Sequence, residues 1–328
     1  MDVQFVFAII CKTTSHWNNR MPVFDEAAIV FLGLARLKGI GFKTLRDLGG
    51  VDAIARRALS EGPDFVETLT KGSASDCRLD NILALGKSAA EVLTKVGIGL
   101  VRFGEDRFPV QFAELESSAR PLWFFYQGNY DLLANDAVAV VGTRSPSPVG
   151  EFLTKYAVAA AQEAGVTVVS GLAKGVDEIA HEWALECGVP NISVLGTGLL
   201  RPYPAKNTLL SRRIIEAGGL LISEYMPDAS PSAENFVWRN RLQAALAKCV
   251  IAPEWKRSSG TAHTIRFAKR FSRPSINLTL NGVSPPPDHG VADDTYEVPH
   301  DHAALIHALL KVDSRTEARI LNMQESLF

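Results

Sequence analysis

A doubly wound α/β sheet with mostly parallel strands is the fold this sequence predicts, and three strand–glycine-turn–helix units carry the prediction. In the first, Val138-Ala139-Val140-Val141 is a β-branched run too short for a comfortable helix, and it stops on Gly142-Thr143-Arg144 before Ser145-Pro146-Ser147-Pro148. An alanine-rich helical stretch from Phe152 to Ala164 leads into the second strand, Val166 to Val169, and its turn Ser170-Gly171-Leu172-Ala173-Lys174-Gly175-Val176-Asp177. A helix from Glu178 to Cys187, a strand from Asn191 to Leu195 and the turn Gly196-Thr197-Gly198 make the third unit. This alternation puts the turns along one edge of a sheet, the edge at which open α/β folds bind ligands.

The turn chemistry points to an anion. Gly142-Thr143-Arg144 offers backbone N–H groups, a hydroxyl and a forked guanidinium, all suited to phosphate. Taken alone, it is equally compatible with a strand–helix turn whose arginine faces solvent. Two familiar nucleotide fingerprints are missing. Gly196-Thr197-Gly198 runs on to Arg201, so the third glycine of a dinucleotide motif is absent. Gly86-Lys87-Ser88 has Asn81 where a phosphate loop needs its first glycine, and Leu83 to Val92 reads as helix.

Glu234-Asn235-Phe236-Val237-Trp238-Arg239-Asn240-Arg241 is the densest polar cluster, and it reads as a loop leading into a helix from Leu242 to Lys248. Guanidinium forks beside amides and rings suit a phosphodiester backbone with unstacked bases; solvated ion pairs are the plainer alternative. From Glu234 to Arg273 there are nine Lys/Arg and only two carboxylates, a local excess of +7 in a chain of net charge −2. Such a local excess is the footprint expected of a nucleic-acid surface. Trp238 is expected at the surface and Phe236 in the core, and His181, with no second histidine at ligand spacing, is expected to be structural.

With 328 residues, 47% of them hydrophobic and 21% charged, the chain has room for two domains. Its four cysteines (Cys11, Cys77, Cys187, Cys249) have no metal-type spacing and fit reduced thiols in the cytoplasm. Neither a metal site nor a cofactor is expected. The apolar run Val3 to Cys11 is too short to span a bilayer, which excludes it as a membrane anchor, and Met21 is an alternative start. From Phe24 to about Gly97 the pattern is helical. Within it, Leu34-Ala35-Arg36-Leu37-Lys38-Gly39-Ile40-Gly41 reads as a helix–turn–helix bend, more readily structural than DNA-contacting. Asn281 to Asp294, with Pro285-Pro286-Pro287, reads as a loop or linker, and His302 to Lys311 as a short terminal helix.

In this order the motifs resemble the DNA-processing protein A (DprA/Smf) family. The resemblance runs from Phe108-Pro109 and Arg120 to Asn129 through Val138–Arg144, Ser170–Asp177 with Ala180-His181, Val194–Gly198, Tyr203-Pro204, Asn207 and Ser223-Glu224-Tyr225. It continues through Asn235-Phe236, Arg239-Asn240-Arg241 and Ser259-Gly260-Thr261. It implies an extended Rossmann-like domain over 99–280, preceded by a small helical SAM or helix-hairpin-helix-like domain over 23–98. Residues 1–22 are then an uninformative extension and 281–328 a Pro-rich loop and terminal helix, with no C-terminal winged helix. It further implies a cytoplasmic, homodimeric, non-enzymatic protein that binds single-stranded DNA and helps load the RecA recombinase in natural transformation. Carried over by position, Arg144, Lys174, Arg239 and Arg241 contact phosphates. Gly142, Thr143, Ser170, Gly171, Gly175, Asn235, Asn240, Ser259, Gly260 and Thr261 complete the DNA-binding set.

Three departures stand out: Pro253 in the strand Val250 to Glu254, which puts that strand at an edge or ends it, the lack of a Val-Pro-Gly ending after Pro274, and the lack of the winged-helix module that many members carry. The rival is a nucleotide-binding or nucleotide-cleaving protein like the lonely-guy phosphoribohydrolases. Against it, Ser259-Gly260-Thr261 continues into Ala262-His263-Thr264 without the carboxylate such hydrolysis needs.

Overall fold

The helical periodicity after Phe24 is realised as five helices: α1 (Glu26–Leu34), α2 (Phe42–Asp47), α3 (Val51–Glu61), α4 (Pro63–Thr70) and α5 (Leu79–Lys95). The structure, a computed structural model, describes residues 22–74 and 76–310; the apolar run at Val3, Met21 and Lys311 lie outside them. The sheet-forming region follows as β1 (Ile98–Arg102), α6 (Val110–Ala113), β2 (Trp123–Gly128), β3 (Ala137–Val140), α7 (Pro148–Glu163), β4 (Thr167–Ser170), α8 (Val176–Cys187) and β5 (Asn191–Val194). Then come α9 (Thr208–Glu216), β6 (Leu220–Ser223), α10 (Ala233–Leu246), β7 (Cys249–Ile251), α11 (Thr261–Arg270), β8 (Ser275–Leu280), β9 (Asp294–Val298) and α12 (His302–Leu310). Parallel pairings dominate, as the sequence predicts: β3 with β4 and β7, β5 with β6, β8 with β7 and β9. Among the described strands only β2 pairs antiparallel, with β1 and β6. The fold is Rossmann-like.

The described residues pack as two units: one takes those up to Leu133 together with Ile192–Arg239, the other Ala134–Asn191 together with 240–310. In the first, Asp25 caps α1 by accepting from Ala28 N–H at 2.9 Å. Arg102 at the end of β1 pairs with that carboxylate and with Asp52 of α3, and it holds Asp25 below the usual carboxylate range. Gly86 lies within α5 with its Cα against the Ile29 carbonyl of α1, so it serves helix packing and no phosphate loop. Trp123 is buried, met edge-on by Phe31 and Phe42, and its indole N–H donates to Glu224 O at 2.8 Å.

In the second unit the strands run β4-β3-β7-β8-β9, all parallel, so their carboxyl ends share an edge. Val138, Val140, Val168, Ile251 and Ile276 face a core completed by Ala157 and Val158 of α7, Ala180 and Ala184 of α8, and Leu305 and Leu309 of α12. Small residues on α7 and α8 let those helices lie close to the strands, with apolar burial supplying the drive. Tyr156 Oη and His302 Nδ1 are 2.7 Å apart, and His302 Nε2 lies 3.0 Å from Glu163, which fastens α12 to α7.

Two expectations need correcting here. The segment 233–241 is not a loop: α10 starts at Ala233, because Ser232 Oγ accepts from Asn235 N–H at 3.1 Å and so opens the helix upstream of the arginines. Residues 281–294 do not link to a terminal helix alone, since the chain after them adds the strand β9. Of the two fates Pro253 allows, β7 takes the second: it ends at Ile251, and it is central, flanked by β3 and β8.

The Pro-rich segment is pinned rather than free. Gly290 N–H donates to Trp255 O at 3.0 Å, while Gly290 O accepts from Asn277 Nδ2 at 2.8 Å. Asn277 Oδ1 in turn accepts from the Trp255 indole at 2.9 Å. Gly290 passes so close to the Trp255 ring that a Cβ there would collide with it.

Asn277→Ala should therefore strand the Trp255 N–H and the Gly290 carbonyl, costing about 2–3 kcal/mol in urea unfolding and exposing the 281–290 segment to limited proteolysis. Burial also pushes the His289 imidazole below its ordinary range. A depressed pKa means the unfolded chain binds the proton first, so this contribution is present above the ordinary imidazole range and is lost as pH falls through it. Proteolytic opening of the segment should rise as pH falls below the ordinary imidazole value of about 6.5, and His289→Gln should flatten that rise.

Candidate nucleic-acid interface

Three turns meet at the carboxyl edge of β4, β3 and β7, and Thr143 joins them. Its N–H donates to Glu254 O at 2.8 Å and its carbonyl accepts from Val176 N–H at 3.1 Å. The Gly142-Thr143-Arg144 turn is thereby tied to the turn after β7 on one side and to the start of α8 on the other. Gly175 closes the junction: its φ is +88°, and a Cβ there would stand 2.8 Å from Arg144 Cα. Only glycine tolerates both the left-handed backbone and that approach. The junction brings Arg144 and Lys174, both exposed, to the same edge.

Glu254 settles where an anion does not go. Its carboxylate accepts from Ser147 Oγ at 2.6 Å and from Ser147 N–H at 3.1 Å, at the amino end of α7, where Ser147 Oγ also accepts from Gly150 N–H at 3.1 Å. The positive end of that helix is already matched by an internal charge. Cations at this edge are Arg144 and Lys174, joined by Lys256 and Arg257 on the turn after β7, all exposed. Lys256 pairs with Asp288 at 2.8 Å, and this holds Asp288 below the usual carboxylate range. Gly260, exposed, opens α11 with no side-chain cap, its carbonyl accepting from Asn240 Nδ2 at 3.2 Å.

The remaining expected site residues fall into two groups. Gly142 and Thr143 are half-buried at the edge, with Thr143 Oγ1 accepting from Ser145 N–H at 3.3 Å, and Ser259 is half-buried with its hydroxyl on Lys256 O at 2.7 Å. Ser170, Gly171 and Thr261 are buried, and Ser170 Oγ donates to Val140 O at 2.7 Å, which ties β4 to β3. Arg241 is 0% exposed and Arg239 4%, with Arg239 Nη1 donating to Val194 O. Side chains so enclosed present little guanidinium surface to a phosphate in this structure: Arg239 is held on the Val194 carbonyl and Arg241 is packed inside. Helical spacing explains it: with 233–246 in one helix, these side chains leave the axis into packed surroundings. Asn235, in the first unit, is half-buried, and its carbonyl accepts from Tyr225 Oη at 3.1 Å.

Nearby expectations resolve likewise. His181 is fully buried with Nδ1 3.0 Å from Asn191 Oδ1, a structural histidine. Phe236 packs on Gly196 and Tyr203, whereas Trp238 is half-buried beneath the Arg46 guanidinium, 5.4 Å from its ring, rather than at the open surface. Glu224, 2% exposed, lies 3.8 Å from Arg46. Burial pushes the Cys249 thiol up to about 12. No group of three His, Cys, Asp or Glu among the described residues is arranged to hold a metal, and no helix among them is long and apolar enough to cross a membrane.

Three residues of the edge are absent from the site set read from the sequence: Glu254 and Lys256, which enter only its charge count, and Asp288. The charge excess already contained Lys256, but only the parallel order of β3 and β7 reveals that its turn lies beside Thr143.

Comparison with known proteins gives consistent results. A model of the family described as DNA recombination-mediator protein A matches residues 99–284, more than half of the chain. A putative DNA processing protein DprA of Mycobacterium tuberculosis is 36% identical over 194 residues, 56% of this chain and 50% of the relative. The chain spans about half the length of the curated relatives it matches first. Among solved structures, DprA from Streptococcus pneumoniae has a TM-score of 0.56 at 26% identity, covering 88% of this chain and 92% of that one. DNA processing protein A from Helicobacter pylori, solved for its single-stranded DNA binding mode, has a TM-score of 0.51 at 30% identity, over 58% of this chain and 83% of that one.

The burial of Arg239 carries a prediction. Arg239→Ala should lower the urea midpoint by the equivalent of about 1–3 kcal/mol while leaving the salt slope of DNA binding unchanged; a flattened slope with unaltered stability would return this arginine to the phosphate track.

Proposed function

The chain belongs to the DNA recombination-mediator protein A family, and from that premise we propose that it binds single-stranded DNA along the carboxyl edge of β4, β3 and β7. The one observation that carries the reading is the meeting of exposed Arg144 and Lys174 across the Gly175 junction, at an edge whose Glu254 carboxylate is engaged by Ser147. A strand's phosphates meet the exposed charges of Arg144 and Lys174 there, and cation–phosphate contacts give affinity without reading sequence. The exposed turns at Gly260 and Arg257 extend the same edge. Family membership and the single-stranded DNA bound by the Helicobacter pylori protein support the choice of ligand.

The wider role proposed is that of the family. Acting in the cytoplasm as a homodimer, the protein shields incoming strands without cutting them and helps load RecA during transformation or recombination. The helical segment 23–98 is read as an accessory to the binding domain at 99–280.

The test is fluorescence anisotropy of a labelled oligothymidine across a salt series. Strong binding that weakens with salt, competed by single strands and poorly by duplex, is expected. Arg144→Ala and Lys174→Ala should each flatten the log–log salt slope by about 0.7 with no change in thermal unfolding. Slopes that stay at the parent value in both variants would remove this edge as the phosphate track, and displacement by free nucleotide would favour a nucleotide-binding protein instead.

A further inference from the structure

Beyond the phosphate track, cations gather on α11. From Lys256 to Arg273 the chain carries six of them (Lys256, Arg257, Arg266, Lys269, Arg270 and Arg273) and no carboxylate. Helical spacing sorts the helix: Thr261, Ala262, Thr264 and Ala268 are buried, while Arg266, Lys269 and Arg270 are exposed. The strands beneath it, β7 and β8, contain no charged residue and so add no carboxylate to that face. The first carboxylates on either side in the chain are already engaged, Glu254 by Ser147 and Asp288 by Lys256. Arg266 Nη2 meets His263 Nδ1 at 2.9 Å, and burial together with the Arg266 charge holds that imidazole below its ordinary range. A neutral ring orients the guanidinium and leaves its charge in place.

We propose that the outer face of α11 binds the phosphate backbone of duplex DNA, where a duplex adjoins the single strand held on the track. The inference goes beyond the single-strand reading above and rests on it only for the place of the junction. Topology supplies the position. β7 and β8 are parallel, so the helix that joins them starts at the carboxyl edge and runs back along the sheet. Gly260, at its amino end, already lies on the proposed track. Arg266 and Arg270 follow about 9 and 15 Å further along the axis, at 1.5 Å per residue. A nucleic acid that leaves the edge past Arg257 and Gly260 therefore passes over this face.

Charge alone suits any polyanion, and the apolar residues decide among them. A single strand held here would stack its bases on open rings. A membrane-binding face would turn bulky apolar side chains outward among the cations. Neither pattern is present. Phe267 and Phe271 are half-buried and stacked on each other at 6.0 Å and 22°, and Ile265 packs on Ala252, Trp255 and Ala262. What α11 turns to solvent is chiefly charge, which fits a backbone whose bases are stacked inside a duplex.

The experiment compares, by anisotropy across a salt series, a labelled oligothymidine with the same oligothymidine joined to a short hairpin duplex. The junction strand should bind about tenfold more tightly, because two sites on one ligand are engaged together. Its log–log salt slope should be steeper by about 2–3, at about 0.9 for each duplex phosphate neutralised. In the triple variant Arg266→Gln, Lys269→Gln, Arg270→Gln, with thermal unfolding checked in parallel, that advantage should vanish while oligothymidine binding keeps its parent value. Lys269→Gln alone should remove about 0.9 of the junction slope.

Equal affinity and slope for the two strands in the unaltered protein would overturn the duplex face and leave the track standing. An advantage that survives the triple variant would also overturn it, since the duplex would then lie elsewhere on the protein. Displacement of the junction strand by phosphatidylglycerol vesicles, without displacement by a blunt duplex, would make the face a membrane surface instead. Loss of oligothymidine binding beside duplex binding that the triple variant abolishes would bring down the single-strand reading and uphold the α11 face.

Discussion

Everything at the carboxyl edge of the second unit depends on the peptide group of Thr143. Its N–H and C=O both point away from its own strand, one to the turn after β7 and the other to the first residue of α8. A backbone group so placed would be costly if left unpaired. Paired, it makes three separate turns into one rigid junction. Gly175 is the consequence: the chain passes so near Arg144 that no side chain fits, and the backbone adopts a φ of +88°. The cations stand on that junction, so their spacing is set by main-chain geometry rather than by flexible side-chain pairing.

Electrostatics then divides the labour within a small space. A helix N-terminus next to an arginine turn is an obvious anion site, yet at α7 the protein fills it with Glu254, buttressed by Ser147. In the proposed binding mode an incoming phosphate is repelled by that carboxylate and held at Arg144 and Lys174 instead. The net charge of −2 is no obstacle, because steering responds to local charge within a Debye length of about 10 Å and not to the total. For the same reason the excess of nine cations over two carboxylates between Glu234 and Arg273 overstates the binding surface. Two of the nine, Arg239 and Arg241, are enclosed and belong to the packing.

How much of this was legible in the sequence follows from the range of the interactions involved. The units around Val138, Val168 and Ile192 were legible because short apolar runs ending on glycine are local signals, and parallel order follows from their repetition. The Gly-Thr-Arg turn was legible for the same reason, and so was the family. Long-range pairing was not. Pro285-Pro286-Pro287 reads as a spacer because nothing within the stretch shows that Gly290 lies under the Trp255 ring, or that Asn277 bridges the two. Nor does charge counting reveal burial. Arg239-Asn240-Arg241 looked like a loop because its polarity masks a helical register that Ser232 opens upstream. Trp238 was expected outside because its partner, Arg46, is far away in the chain.

A track that binds phosphate without regard to sequence and a helix face that takes a duplex backbone are compatible for a physical reason. Cation–phosphate contacts set the mean affinity and let a strand shift register at little cost. A second charged face then needs only to bias which register is occupied, and it does so without denying any sequence a place on the track. Rigidity at Thr143 is what the proposed phosphate track requires, because the hydrogen bonds of that backbone fix where Arg144 and Lys174 stand.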